Sequence, residues 1–303
     1  MKTCVPLALL PAVMLLAAAL PALASLPSSS AFRPPFDLRP DVHSSAPLLY
    51  ASDFLSGNVY VFPQAGKNQH SIASLTGLTP TIGLAVDKRR HLFVSQQGGV
   101  LEFAEGGSQP IRTFADTGHD PGGVAICPNG TLYVANSEGV TISVYAKGAT
   151  NPTGLLQADG QVFHLACDAA SDVFVTEAGG SAKRDESSGW GQVDEFLANG
   201  SGPIDLPIML GFPEGIAIDR AGDVVVADAF NNVLAFYHVG DSTPFRTLAV
   251  PGSPIELAFT DNDRAVWVTA HYEIERYAVA TGRLTDSITT LPDAGGLAVS
   301  PSD

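Results

Sequence analysis

No ready-made catalytic signature runs through this chain of 303 residues. There is no Gly-x-Ser-x-Gly nucleophile elbow, and no His-x-His or HExxH pair to hold zinc. His70, His91, His119, His238 and His271 are scattered rather than grouped. Basic residues are scarce: 16 Lys plus Arg stand against 31 Asp plus Glu, a net charge of −15. Such a field repels nucleic-acid phosphates and anionic lipid surfaces, and it attracts cations. No basic stripe with interleaved aromatics relieves it, so nucleic acid is not an expected partner. Beyond residue 24 no segment shows sustained helical periodicity, which excludes helical repeats.

Cysteine is also rare, at three residues. Cys4 sits in MKTCVPLALLPAVMLLAAALPALA, residues 1–24, where a lone Lys2 precedes an apolar stretch and an Ala22-Leu23-Ala24 end. These are the parts of a secretory signal peptide. Pro11, Pro21 and the single flanking charge argue against a permanent membrane anchor. Cleavage would leave 15 basic against 31 acidic residues, a net charge of −16. The expected location is therefore secreted or periplasmic. Residues 25–47 are rich in Ser and Pro and read as a flexible tether. The alternative is a strap along the domain using Phe32 and Phe36.

What the rest of the chain does have is one sentence written six times. Copies of a short-strand motif begin at Gly83 (GLAVD), Gly123 (GVAIC), His164 (HLACD), Gly215 (GIAID), Glu256 (ELAFT) and Gly296 (GLAVS). The spacings are 40, 41, 51, 41 and 40 residues, and about 40 residues with four short strands is a propeller blade. Within the clearest copy, PEGIAIDRAGDVVVADAFNNVLAF (213–236), three strands alternate with two turns, Arg220 to Asp223 and Asn231-Asn232. The last copy ends after one strand, whereas Leu48 to Phe62 supplies a second and third strand without a first. The two ends complete one blade. The expected fold is all-β: a six-bladed β-propeller over 48–303, closed by its N- and C-terminal segments and leaving no free sheet edge.

PEGIAID…GDVVVAD…NN resembles the NHL repeat, and the ring resembles NHL-type and SMP-30/gluconolactonase-like six-bladed propellers over Leu48 to Asp303. That resemblance implies a scaffold that hosts lactonases, lyases, ligand binders and RNA binders alike. NHL repeats commonly place an Arg after the Asn pair, but here Val233 and Leu234 follow. The lactonases bind metal through acidic and Asn residues just before the innermost strands. Glu214 matches such a position, while Gly122, Phe163, Ile255 and Gly295 cannot serve as side-chain ligands.

Strand geometry places the second-strand ends and first-strand starts on one face. Asp53, Asn136, Glu177 and Asp228 are ends of this kind, and His164, Glu214 and Glu256 are starts. Together they would ring the channel mouth. Oxygen-rich rings suit Ca²⁺, and an imidazole admits a transition metal such as Zn²⁺, with Glu214, Glu256 and His164 as ligands. The competing reading is that strand-end Asp and Asn bond turn amides of their own blade. The 51-residue spacing reflects a long loop, 178–192, in the fourth blade. It carries Trp190, which would either overhang the channel mouth or pack on the adjacent blade. Cys127 and Cys167, on equivalent strands of the third and fourth blades, would form a disulfide or remain two buried thiols. The sequence thus favours an exported, monomeric binding or scaffold propeller that takes a protein, glycan or small molecule, without stable membrane insertion. The alternative is a metal-dependent lactonase or hydrolase working at the channel mouth.

Overall fold

The structure is a computed structural model that describes residues 46–302, except 65–68, 81–82, 117–118, 138, 180–190, 261, 272 and 292. The expected signal peptide, almost all of the tether, Trp190 and most of the 178–192 loop lie outside the described residues. Among the described residues, twenty-four strands, β1 to β24 in chain order, form six four-stranded antiparallel sheets and there is no helix.

The innermost strands are β4 (Leu84–Val86), β8 (Pro121–Ile126), β12 (Gln161–Cys167), β16 (Pro213–Ile218), β20 (Glu256–Phe259) and β24 (Ala294–Val299). Each contacts the next around the ring, and β24 contacts both β20 and β4. The split repeat closes as expected. β24 pairs antiparallel with β1 (Leu48–Asp53), with Leu49 opposite Val299 and Ala51 opposite Leu297. Ser300 strengthens the join: its Oγ accepts from Leu48 N at 2.8 Å and its N donates to Leu48 O at 2.9 Å.

The core lies between blades, not within any one of them. Six apolar clusters each mix side chains from neighbouring sheets. Leu48, Tyr50, Leu92 and Phe103 join blades 1 and 2, for example, and Leu49, Phe62, Trp267 and Ile274 join blades 1 and 6. This explains the unbroken Val224-Val225-Val226 run. The second strand of a blade is covered on both faces, so alternation is lost there, and β17 (Val224–Asp228) is buried throughout.

Turn chemistry recurs between first and second strands. Asp219 Oδ1 accepts from Ala221 N and Asp223 N at 2.8 and 3.0 Å, and Asp87 Oδ1 does the same for Arg89 N and His91 N at 2.8 and 2.9 Å. The third turn residue is left-handed, as Gly222 (φ 89°) in one blade and Arg90 (φ 66°) in another. Arg90 is buried in spite of its charge. Its guanidinium donates to Ala46 O at 3.0 Å, Pro301 O at 2.6 Å and Glu105 Oε1 at 2.7 Å. One side chain from blade 2 thereby clasps both ends of the propeller.

Cys127 and Cys167 are joined by a disulfide with Cα atoms 5.3 Å apart, linking the ends of the inner segments of blades 3 and 4. Convergence near the axis brings them far closer than the roughly 10 Å between stacked sheets.

Replacing Arg90 with Ala should remove the clasp and cost about 1.5–3 kcal/mol. A thermal midpoint lower by roughly 3–12 °C is the expected readout. Deleting residues 294–303 should go further, because it opens β1 to solvent along an unpaired edge. Soluble, cooperatively unfolding protein from that deletion would contradict the role assigned to closure.

Candidate functional site

Near the axis the inner strands approach so closely that most blades tolerate only glycine at the first motif position. A Cβ on Gly83 would lie 2.3 Å from Gly122 O, and one on Gly123 would lie 2.8 Å from His164 Cα. Gly215 N donates to Ile255 O of the next blade at 2.7 Å. The strands reach this point through irregular registers, with shifts between Pro121 and Val124, Val162 and Leu165, and Pro213 and Ile216. Inner pairing in blades 3, 4 and 5 thus begins ahead of the motif, and the bulge re-aims the residues that follow.

In four blades a second-strand hydroxyl receives the N–H of the first motif residue. Ser52 Oγ accepts from Gly296 N at 2.8 Å, and Ser95 Oγ from Gly83 N at 2.7 Å. Thr176 Oγ1 accepts from His164 N at 3.1 Å, and Thr269 Oγ1 from Glu256 N at 3.0 Å. The sequence reading missed these four residues. The available signal was a Ser or Thr recurring immediately before the second-strand end.

Where the first motif position is not glycine, its side chain enters the channel. His164 of blade 4 and Glu256 of blade 6 pair across blade 5, His164 Nδ1 against Glu256 Oε2. The small residue between them, Gly215, makes this contact fit: a Cβ there would sit 2.6 Å from Glu256 Oε1. Glu256 Oε1 in turn accepts from Leu257 N at 2.9 Å. Both partners are buried. Burial opposes the charged imidazole. The charge and hydrogen bond of Glu256, with the charge of Glu214, nevertheless hold the His164 pKa above its ordinary value. Burial pushes Glu214 up to about 7, against the lowering influence of His164 and with that of Glu256.

From this pair a cavity of about 230 Å³ runs along the inner strands to Val86, Ile126, Cys167, Ile218 and Val299. All six inner segments line it. The third motif residue is alanine in every copy, and Ala85, Ala125, Ala166, Ala217 and Ala298 keep the walls low. A second cavity, of about 470 Å³ between blades 2 and 3, shares Val86, Ile126 and Cys167 with the first. Its wall carries Lys88, Arg89, Arg112 and Lys147 beside Asp87 and Glu102. Arg89 pairs with Asp87 and Arg112 with Glu102, both at 3.3 Å.

Glu214, Glu256 and His164 are therefore brought together by charge and position, whereas the second-strand ends are not part of that group. Asp53 Oδ1 accepts from Ser56 N at 3.0 Å. Asn136 Nδ2 donates to Thr141 Oγ1 at 2.8 Å. Asp228 accepts from Gly211 N, Phe212 N and Asn231 N at 2.9, 3.1 and 3.1 Å. Glu177 turns towards the outer strands and accepts from Gly160 N at 2.7 Å. Among the described residues, the sets with three ligand atoms within 4.8 Å of one another are Asp87–His91–Glu102 and Asp159–Asp194–Asp205. The channel trio does not form such a set. Its imidazole Nδ1 and the Glu256 carboxylate meet each other.

The class defined by this architecture is the six-bladed β-propeller. No protein-family model and no curated protein matches the sequence. Solved structures do. A chain of a nidogen/laminin complex superposes with a TM-score of 0.67 at 15% identity, covering 85% of this chain and 100% of that one. Streptogramin B lyase gives a TM-score of 0.52 at 14% identity, covering 81% and 75%. A protein of unknown function from Bacteroides caccae gives 0.65 at 12% identity, covering 84% and 98%. At these identities the likeness is one of fold.

The axial groups set a pH dependence. Glu214 binds its proton more tightly in the fold, with a pKa near 7 against 4.5 for the free group. His164 is raised above 6.5. In both cases the stabilisation is complete below the unfolded pKa and lost as pH climbs through the folded one. Thermal midpoints measured without divalent cations should fall as pH rises from about 4.5 past 7. Glu214→Gln should flatten the lower part of that decline. A midpoint that rises over the same window would contradict the assignment.

Proposed function

We propose that this chain is an exported binding propeller. It receives a small group of a protein, glycan or small-molecule partner in the axial well, and the rest of that partner lies on the cleft between blades 2 and 3. The observation that carries this reading is the well itself: small alanine and branched aliphatic side chains line it, its accessible lining is more polar than apolar, and its floor is a histidine and a glutamate that satisfy one another. A concave site with a few oriented polar groups is a usual form of a binding pocket. A floor whose imidazole and carboxylate engage each other favours binding over lactonase chemistry.

Charge supports the placement of the polar end. Four of the 16 basic side chains of a strongly acidic chain meet at the cleft that opens beside the well. A ligand with an anionic end matches that pairing. Export rests on the leader of residues 1–24, and the Cys127–Cys167 bond is consistent with an oxidising compartment.

Anilinonaphthalene sulfonate, an apolar ring system with one anionic group, is a suitable probe. Native protein should bind it saturably in a fluorescence titration. Ala85→Leu, which fills the well from a partly exposed wall position, should weaken binding about tenfold, the equivalent of about 1.4 kcal/mol. Undiminished binding in that variant, at an unchanged thermal midpoint, would place the ligand elsewhere.

A further inference from the structure

Away from the axis, blade 4 opposes acids in a way the other blades avoid. Its outer strands are β14 (Gly191–Phe196) and β15 (Ile204–Asp205), and they set Asp194 directly across from Asp205. The same sheet position holds Ser143 against Leu155 in blade 3, Ala235 against Thr247 in blade 5 and Glu275 against Ser287 in blade 6. Blades 1 and 2 place Tyr60 against Ser74 and Leu101 against Thr113. Like charges facing across a ladder destabilise a sheet. Here a third and a fourth acid join them: Asp159 from the turn ahead of β12, and Glu177 from β13 (Val173–Ala178), diagonal to Asp194.

Ligand atoms of Asp159, Asp194 and Asp205 lie within 4.8 Å of one another. Asp194 is fully buried, and its Oδ2 has no hydrogen-bond partner. Glu177 is equally buried, and its Oε1 is likewise unmatched. The Gln192 amide holds both groups, its Nε2 donating to Asp194 Oδ1 at 3.0 Å and Glu177 Oε2 at 3.5 Å. Among the described residues, no Lys, Arg or His forms an ion pair with any of the four acids. The matching pocket of blade 3 holds one buried acid, Asp116, and His119 Nδ1 meets it at 2.9 Å. Asn136 Nδ2 donates to Ser143 Oγ at 3.3 Å, and Ser143 Oγ donates to Asp116 Oδ1 at 3.0 Å. Blade 4 sets several carboxylates where blade 3 has this chain of hydrogen bonds around one acid, and among the described residues no basic side chain pairs with them. A buried carboxylate oxygen without a partner is costly, and a cation is the partner that satisfies several at once.

We propose that Asp159, Asp194 and Asp205 bind a Ca²⁺ ion at the junction of blades 3 and 4, with Glu177 behind them as a positioning residue. The donors are oxygens only, which suits Ca²⁺ and disfavours the copper and zinc that imidazole or thiolate would attract. Asp159 and Asp205 are exposed and give the ion its entry, while Asp194 meets it from the buried side. The bound ion would tie the crossover from blade 3 to the outermost strand of blade 4.

Isothermal titration of the purified, metal-free protein with CaCl₂ tests this. A single saturable site is expected, and the thermal midpoint should rise with Ca²⁺ concentration. Asp205→Asn, at an exposed position that the fold does not need, should abolish or sharply weaken that binding. Asp194→Asn should do the same while raising the midpoint of the metal-free protein, because it relieves the opposed charges. Glu177→Gln should lower Ca²⁺ affinity about 10- to 100-fold, as loss of an outer-shell partner does, without lowering the metal-free midpoint. Absence of saturable Ca²⁺ binding in the native protein would overturn the proposal, as would native affinity in the Asp205→Asn variant.

Discussion

Everything in this molecule depends on the pairing of β24 with β1. A blade has no core of its own, because the apolar side chains on each face of a sheet are buried by its neighbours. Stacking blades in an open arc would leave two such faces and two strand edges in water. Bringing Ala294–Val299 beside Leu48–Asp53 removes both edges and supplies the sixth interface. Ser300 and Arg90 reinforce that one join, the first through its Oγ and its backbone N–H to Leu48 and the second by gripping carbonyls on both sides of it. Arg90 holds a left-handed conformation that costs a non-glycine residue about 1 kcal/mol, and its three hydrogen-bond partners offset that strain.

Closure also sets the scale of the channel. At Gly83, Gly123 and Gly215 the inner strands converge until an added Cβ would strike the neighbouring backbone. Departures from glycine are then conspicuous, because a larger side chain at that level has nowhere to go but inward. His164 and Glu256 fit as a pair only because Gly215 stands between them. The floor of the well is thus a product of three blades, and no single blade could present it.

The ring was legible because its signal is redundant: six copies with near-constant spacing, and one copy split between the ends. His164 and Glu256 were legible for the same reason, as exceptions within a pattern that repeats. Strand-end residues were harder. Asp53, Asn136, Glu177 and Asp228 occupy one position in the repeat, yet each turns to groups within its own blade or its crossover, a matter of local hydrogen bonding that periodicity does not report. The charge constellation of blade 4 was hidden more deeply. Asp159, Asp194 and Asp205 come from three separate segments, and only the register of β14 on β15 sets two of them face to face. The well escaped notice because its marker is an alanine, a residue that draws attention only when all six copies share it.

The split blade has a consequence for how the molecule is made. A ribosome delivers β1 first among the strands and β24 last, so five blades can stack while the first still lacks its inner strand. Throughout that interval β1 shows an unpaired edge that matches one particular strand, and a neighbouring nascent chain carries an identical copy of that strand. Whether the product is a closed ring or an exchanged pair is then a contest between local concentration within one chain and the concentration of chains around it. Dilute synthesis favours closure within one chain. Crowding chains together at the moment of completion is the condition that favours strand exchange.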